Sequence, residues 1–297
     1  MKINRHVLAG IIVLIVYFNV YSQTPLKKNE KLLGVITKND LTTDDYSKWF
    51  SPQFNSYPVD KDSASKISEP LKEFEILVFM GTWCGDSKKE VPRFYRLLEE
   101  INYPMPKLKI IAVDSDKDQY KKSPNGEEKG LNIHKVPTFI FYKDGKEVNR
   151  IIEHPIISFE SDINQIINTN TYEPNYNSIG LLYKLLNEKG ATYIKTSDTL
   201  LKELKPIIKT DAELNSYGYF YLNDKDFDKA IAIFTLNNKI FPTNYNTFDS
   251  LAEAYELSGK LDLALKNYEL AYSLIEQNPI IVRLKEKIEN LKNNNPK

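Results

Sequence analysis

One cysteine, Cys84, is the strongest candidate for chemistry in this chain of 297 residues, because it is the only thiol that the sequence contains. It lies in the segment Trp83-Cys84-Gly85-Asp86-Ser87, after an apolar run and before an amphipathic stretch. A cysteine at the start of a helix is placed to react as a thiolate, since the helix dipole and the free N–H groups of the first turn stabilise negative charge. The sequence therefore predicts a nucleophilic thiol that can form mixed disulfides.

The absence of a second thiol restricts what Cys84 can do. Ser87 stands three residues later, where a Cys-x-x-Cys site carries its second cysteine. A mixed disulfide at Cys84 must therefore be released by an external thiol or by the client's own second cysteine. The hydroxyl of Ser87 is a candidate to hydrogen-bond the thiolate, and a plain role in the helix turn is the alternative. An inert buried Cys84 is a further alternative.

The elements that must position Cys84 follow from hydrophobic patterning. Glu75 to Met80 is a nearly continuous apolar run, as expected of a strand buried on both faces of a sheet. The stretch after Cys84 has apolar residues at helical spacing, which predicts a helix that begins at the cysteine. Further strands are predicted at 108–113, 139–142 and 147–152, with a hairpin turn at 143–146 and a closing helix at 159–167.

Two segments together resemble the thioredoxin family: the Trp83-Cys84 segment after a strand, and Val136-Pro137-Thr138 before an antiparallel hairpin. In that family the proline is cis and lies against the reactive sulfur, and a cis bond before proline is uncommon enough to be a specific feature. The resemblance covers residues 30–168 and implies an α/β thioredoxin fold. The motif, read from Gly81, is similar to that of exported thioredoxin-family proteins of Bacteroidetes-type bacteria.

The resemblance also implies roles for individual residues. Val78 stands where dithiol thioredoxins usually carry a buried acid that assists the second cysteine, so both features of a dithiol site are replaced together. The site therefore resembles that of a monothiol oxidoreductase without a cofactor or metal. The implied catalytic residues are Cys84, Ser87 and Pro137, and the implied substrate-binding residues are Trp83, Asp86, Val136 and Thr138.

The region between Cys84 and Pro137 holds one extra stretch, 119–130, which is polar and rich in turn formers and is predicted to be a loop. His134 follows this loop and precedes Pro137 by three residues. We expect His134 at the surface, with a proton-shuttle role as the alternative.

The second half of the chain shows an internal repeat of 34 residues, in which Tyr221, Ala230 and Phe234 recur as Tyr255, Ala264 and Tyr268. This pattern resembles tetratricopeptide repeats, with small residues where paired helices touch and aromatic residues that fill the gaps. It predicts a linker at 169–176 and an all-α tetratricopeptide-repeat domain at 177–293, with clear repeats at 211–244 and 245–278. Such arrays usually bind peptides or proteins, and a spacer or a dimer surface is the alternative.

Residues 1–22 read as a signal peptide, with a basic start, an apolar core of about a dozen residues and a cut before Gln23. This core is shorter than the roughly 20 residues of a spanning helix, although an uncleaved anchor is the alternative. The sequence therefore predicts an exported protein, periplasmic or secreted, with no membrane partner after cleavage.

Composition narrows the partners further. The 40 basic and 40 acidic residues cancel, so nothing indicates a nucleic-acid partner. Protein or peptide clients are expected, recruited by the repeats and by a mixed disulfide at Cys84. Two rival functions stay open: a non-catalytic interaction protein, and a glutaredoxin-like monothiol site that uses glutathione or an iron–sulfur cluster.

Overall fold

A computed structural model describes residues 25–28, 30–275 and 280–294, and the predicted signal peptide lies outside these ranges. The described chain forms two compact units. The first contains the residues up to Asp114, together with Ser123–Glu127 and Lys135–Pro174. The second contains Ser115–Lys122, Glu128–His134 and the chain from Asn175 onward. Among the helices of the described residues, none combines the length and the hydropathy that a transmembrane span requires.

The first unit is built on a mixed sheet of six strands in the order β1-β2-β4-β3-β5-β6. β3 runs parallel to β4 and antiparallel to β5, and all other neighbours are antiparallel. The strands are β1 (Leu26–Lys28), β2 (Lys31–Ile36), β3 (Glu75–Met80), β4 (Leu108–Ala112), β5 (Thr138–Lys143) and β6 (Lys146–Ile152). The helices of this unit are α1 (Lys38–Leu41), α2 (Asp44–Ser56), α3 (Lys61–Leu71), α4 (Gly85–Glu100) and α5 (Phe159–Asn164), which continues as a π-helical turn at Gln165–Thr169.

The central position of β3 explains its composition. It lies between β4 and β5, and five of its six residues are buried, so nearly every side chain must be apolar. Its parallel partner β4 requires a crossover connection, which α4 provides. Phe94 of α4 packs against Phe139 and Phe159, with ring centroids 4.8 and 5.2 Å away. This aromatic cluster fixes α4 on the sheet and thereby places the start of the helix at the end of β3.

The second unit consists mainly of helices. Its other two segments, Ser115–Lys122 and Glu128–His134, contain one short 3-10 turn, Lys117–Gln119. Its first long helix is interrupted at Gly190, which adopts φ 79°. The helices are α6 (Asn177–Thr196), α7 (Asp198–Leu204), α8 (Asp211–Asn223), α9 (Phe227–Ile240), α10 (Tyr245–Leu257), α11 (Leu261–Ser273) and α12 (Ile280–Asn294).

The 34-residue repeat corresponds to two helix pairs, α8 with α9 and α10 with α11. Gly218 of α8 lies so close to the Phe234 ring that a Cβ there would overlap it. The equivalent pair in the next repeat is Ala252 and Tyr268, both fully buried. The repeats are also joined by polar contacts between equivalent positions, as where the Tyr219 hydroxyl donates to Glu253 across 2.6 Å. The predicted fold class, a thioredoxin fold followed by an all-α repeat region, is confirmed.

Candidate active site

Cys84 lies at the junction of β3 and α4, as the sequence predicts. It is the N-cap residue of α4, with extended backbone angles, and its carbonyl oxygen accepts a hydrogen bond from the Lys88 N–H. Its own N–H donates to the carbonyl of Gly81, which closes a tight turn after the strand. The residue is partly exposed. The free N–H groups of the first turn of α4 point toward this end of the helix.

The segment Val136–Pro137 lies directly beside the sulfur. The peptide bond between the two residues is cis, as the resemblance implies. The Cys84 thiol donates a hydrogen bond to the carbonyl oxygen of Val136, with 3.2 Å between Sγ and O. The carbonyl of Pro137 accepts from the Glu153 N–H at 2.7 Å, which joins this segment to the end of β6. The structure therefore brings Cys84 together with Val136 and Pro137, which are 52 and 53 residues away in the chain.

Ser87 is fully buried under the start of α4. Its Oγ accepts a hydrogen bond from the Gly81 N–H at 3.1 Å. The hydroxyl therefore holds the turn between β3 and α4 in place. This geometry favours the helix-turn role for Ser87, one of the two roles that the sequence left open, and it puts an oxygen where a second thiol would be needed for release.

Trp83 is held over the turn by two interactions. Its indole Nε1 donates to the carbonyl oxygen of Val113 at 2.9 Å. Its ring covers Gly81 so closely that a Cβ at that glycine would lie 2.5 Å from the indole Cε2. The indole therefore packs directly against the Gly81 backbone, and any larger residue at position 81 would displace the ring. The local sequence does not reveal this role of Gly81, because it depends on where the Trp83 ring lies.

A buried ion pair next to the Trp83 anchor was not anticipated from the sequence. Asp114 directly follows Val113 at the carboxyl end of β4, and Lys31 Nζ lies 2.6 Å from its carboxylate. Both side chains are largely buried, with 5% of Asp114 and 11% of Lys31 exposed. The sequence signal for this ion pair is an acidic residue, Asp114, just after the buried strand β4, which runs parallel to β3.

The remaining predicted residues differ in what they offer to a bound chain. Asp86 is exposed on the first turn of α4, where its carboxylate would oppose a neighbouring thiolate. Val136 and Thr138 are buried, and the Thr138 hydroxyl donates to the Lys135 carbonyl at 2.7 Å. The side chains of Val136 and Thr138 therefore pack inside the protein. A client could contact these two residues only through their backbone groups.

The expectation that His134 lies at the surface is wrong. Only 3% of this residue is exposed, and it belongs to the helical unit. Its ring packs edge-on against the rings of Tyr176 and Tyr217, with centroids 5.7 and 5.6 Å away. The histidine is buried because its ring packs against these two tyrosine rings. The local sequence could not reveal these contacts, because the tyrosines are distant in the chain.

Comparison with known proteins agrees with this geometry. The family model described as Thioredoxin matches residues 59–165. Thioredoxin-2 of Saccharomyces cerevisiae is 32% identical over 93 residues, which cover 30% of this chain and 80% of the yeast protein. Thioredoxin of Chlamydia muridarum is 34% identical over 91 residues, covering 30% of this chain and 79% of that protein. The chain belongs to the thioredoxin family.

One family member also combines thioredoxin with repeats. The TPR repeat-containing thioredoxin of Arabidopsis thaliana is 30% identical over 104 residues, which are 35% of this chain and 25% of that protein. The chain thus spans a quarter of that relative, and 56% of thioredoxin H-type 1 from Nicotiana tabacum. No solved structure matched the chain. In the described ranges no group of three or more His, Cys, Asp or Glu side chains is arranged to hold a metal ion.

Proposed function

We propose that this protein is an exported thiol–disulfide oxidoreductase that works with the single thiol of Cys84. In the first step the Cys84 thiolate attacks one sulfur of a client disulfide. A mixed disulfide forms, and the second client sulfur leaves as a thiolate, so the step exchanges one disulfide for another without net oxidation. In the second step an external thiol, or a second cysteine of the client, attacks the mixed disulfide and releases Cys84.

The observation that carries this proposal is the arrangement around the sulfur. Cys84 is partly exposed at the N-terminus of α4, beside Val136, while the buried Ser87 hydroxyl is bonded to Gly81. Such a site can attack a disulfide, but it has no neighbouring thiol with which to clear the product. Export is supported by the basic and apolar residues of 1–22, and a disulfide substrate fits an oxidising compartment.

The repeats are proposed to recruit or orient the client. Their support is the stacking of two consecutive helix pairs, α8 with α9 and α10 with α11, an architecture that commonly presents an extended surface to a peptide. The thioredoxin-family relative from Arabidopsis thaliana that carries TPR repeats is a second instance of this combination.

A mixed-disulfide experiment tests the proposal. The mature protein is mixed with a disulfide-bonded protein substrate such as insulin, the reaction is quenched with acid, and adducts are identified by mass spectrometry. We expect a covalent adduct through Cys84 that persists until a small thiol is added, and no adduct with Cys84→Ser. Rapid multiple turnover supported only by a reductase specific for dithiol proteins would refute the one-thiol mechanism.

The non-catalytic alternative makes an opposite prediction. A protein that uses the thioredoxin fold only for binding would keep all its partners in pull-down experiments after Cys84→Ser. The glutaredoxin-like alternative predicts visible absorbance after anaerobic purification, from a bound iron–sulfur cluster.

A further inference from the structure

The second strand of the first unit extends past the end of the strand with which it pairs. β2 is antiparallel to β4, and Gly34 lies opposite Ala112, the last residue of β4. The same register brings Leu32 level with the chain two residues past the end of β4. β3 runs parallel to β4, with Met80 opposite Ala112, so both strands end at the same edge of the sheet. The start of β2 therefore reaches the edge at which β3 leads to Cys84.

Thr82 connects the start of β2 to the turn between β3 and α4. The backbone N–H of Leu32 donates to Thr82 Oγ1 across 3.2 Å, although the two residues are 50 positions apart in the chain. Each of the two residues is only 5% exposed, so little water is available to replace the hydroxyl. A buried N–H group that loses its acceptor destabilises the structure around it. Because Thr82 directly precedes Trp83 and Cys84, this bond holds the turn immediately before the thiol.

A second contact joins β2 to the residues that hold the Trp83 ring. The ammonium of Lys31, the first residue of β2, lies 2.6 Å from the Asp114 carboxylate. Val113, the residue before Asp114, accepts the Trp83 indole N–H at 2.9 Å. β2 thus contacts the turn at the Thr82 hydroxyl, and it also contacts the chain at 113–114 that anchors the indole.

We propose that Thr82 is a positioning residue, by which β2 fixes the Trp83 ring and the Cys84 sulfur for attack on a client disulfide. This inference rests on the proposed function, because it concerns the same thiol. The Thr82 hydroxyl acts through the backbone of the two residues that follow it and takes no part in the exchange of sulfur atoms. A serine at position 82 would keep the acceptor, whereas a valine of nearly the same shape would lose it.

The substitution Thr82→Val tests the proposal in the mature protein, because it removes the acceptor and keeps the shape. Loss of one buried hydrogen bond corresponds to about tenfold in a local opening equilibrium. We expect amide hydrogen exchange of Leu32 to rise by about tenfold, and exchange of the Trp83 indole N–H to rise with it. The second-order rate of mixed-disulfide formation between Cys84 and insulin should fall by about tenfold, within the roughly 100-fold that a misplacement of about 1 Å can cost. Thr82→Ser should keep all three measurements near their wild-type values.

A matched control separates this effect from the general loss of a hydroxyl. Thr42→Val makes the same chemical change in the first unit, at the exposed end of α1, where the Thr42 hydroxyl donates to the Asn39 carbonyl. It should leave the exchange of the Trp83 indole and the rate of adduct formation unchanged.

A second variant approaches the turn from the strand and keeps the proposal testable if Thr82→Val fails to fold. Lys31→Met removes the ammonium and keeps an apolar side chain of similar length. The Asp114 carboxylate retains a cation, because Lys28 Nζ lies 3.4 Å from it. We expect faster exchange of the Trp83 indole N–H and a lower rate of adduct formation. Lys143→Met is the control, since Lys143 pairs with a glutamate at the far end of β5 from Pro137.

Three outcomes have different meanings. Faster exchange of the Leu32 amide, with unchanged exchange of the Trp83 indole and an unchanged rate of adduct formation, would overturn the positioning role. Equal losses in Thr82→Ser and Thr82→Val would also overturn it, because the hydroxyl would then not be the group that matters. If the wild-type protein forms no adduct with insulin, the proposed function fails, while the exchange of the Leu32 amide and of the indole still decides whether Thr82 positions the turn.

Discussion

The substitution Gly218→Ala tests the packing on which the repeat depends. Gly218 lies in α8, and an added Cβ would be 2.3 Å from Cε1 and 2.6 Å from Cδ1 and Cζ of Phe234. Nonbonded carbon atoms in proteins rest at about 3.5–4.0 Å. The ring or the helix must therefore move by more than about 1 Å. Phe234 is fully buried and also packs edge-on against Tyr219, at 5.3 Å, so the ring has little freedom to move.

Two opposing effects set the magnitude. Alanine is preferred over glycine in a helix interior by about 1 kcal/mol. Overpacking of a well-filled core costs about 1–3 kcal/mol, and overlap with a rigid ring belongs at the upper end of that range. The packing penalty exceeds the helix preference, so we expect Gly218→Ala to lower the free energy of unfolding by about 2 kcal/mol.

The assay is urea denaturation followed by far-ultraviolet circular dichroism, combined with hydrogen exchange of peptides from α8 and α9. Exchange is needed because a chain with two compact units need not unfold in one step. Gly180→Ala in α6 is the matched control, since a Cβ at Gly180 meets nothing within 4 Å. That variant should gain about 0.5–1 kcal/mol from the same helix preference.

The result that would refute this reasoning is a Gly218→Ala protein as stable as the wild type or as the Gly180→Ala control. A double variant provides an internal check. Phe234→Leu removes the ring that causes the overlap, so adding Gly218→Ala to Phe234→Leu should cost far less than adding it to the wild type. Additive effects of the two substitutions would show that the overlap is relieved elsewhere.

Three further predictions concern the redox unit. Gly81→Ala should expel the Trp83 indole from its place over the turn, with a red-shifted fluorescence spectrum measured in a Trp49→Phe background, because the new Cβ would overlap the ring. Ser87→Cys should convert single turnover into multiple turnover in insulin reduction, because a second thiol beneath Cys84 can release the mixed disulfide. Glu127→Gln should lower stability at neutral pH, with an effect that shrinks as the pH falls below 4.5. Burial opposes ionisation of Glu127, but hydrogen bonds from the Ser123 hydroxyl, its own N–H and Asn125 outweigh it and hold its pKa below the usual 4.5. A group with a lowered folded pKa contributes stability above its unfolded pKa and loses it as the pH falls through the folded value.

Each of these predictions has a result that contradicts it. An unchanged emission maximum after Gly81→Ala would mean that the turn adapts without moving the indole. A Ser87→Cys protein that still accumulates the mixed disulfide would mean that the buried position cannot reach the Cys84 sulfur. A Glu127→Gln effect of constant size from pH 7 to pH 3 would mean that the carboxylate charge contributes nothing to folding.

Many elements of the first unit, which contains Cys84, can be predicted from the order of residues alone. Apolar run, turn, cysteine and amphipathic stretch follow one another within a short segment, so β3, α4 and the place of Cys84 between them depend on local pattern. The turn residues at 143–146 likewise predict the hairpin of β5 and β6. The 34-residue repeat predicted helix pairs because each repeat carries its own small and aromatic residues at fixed spacing.

Other features were set by partners that are distant in the chain. The role of Gly81 depends on where the Trp83 ring lies, and that ring is held by Val113 on another strand. His134 is predicted to lie at the surface, yet it is buried and its ring packs against the rings of Tyr176 and Tyr217. Local sequence reports hydrophobicity and spacing, whereas burial depends on which surfaces meet. For that reason the sequence by itself determined that a lone thiol begins a helix, and only the tertiary structure decided which residues hold the segment that faces it.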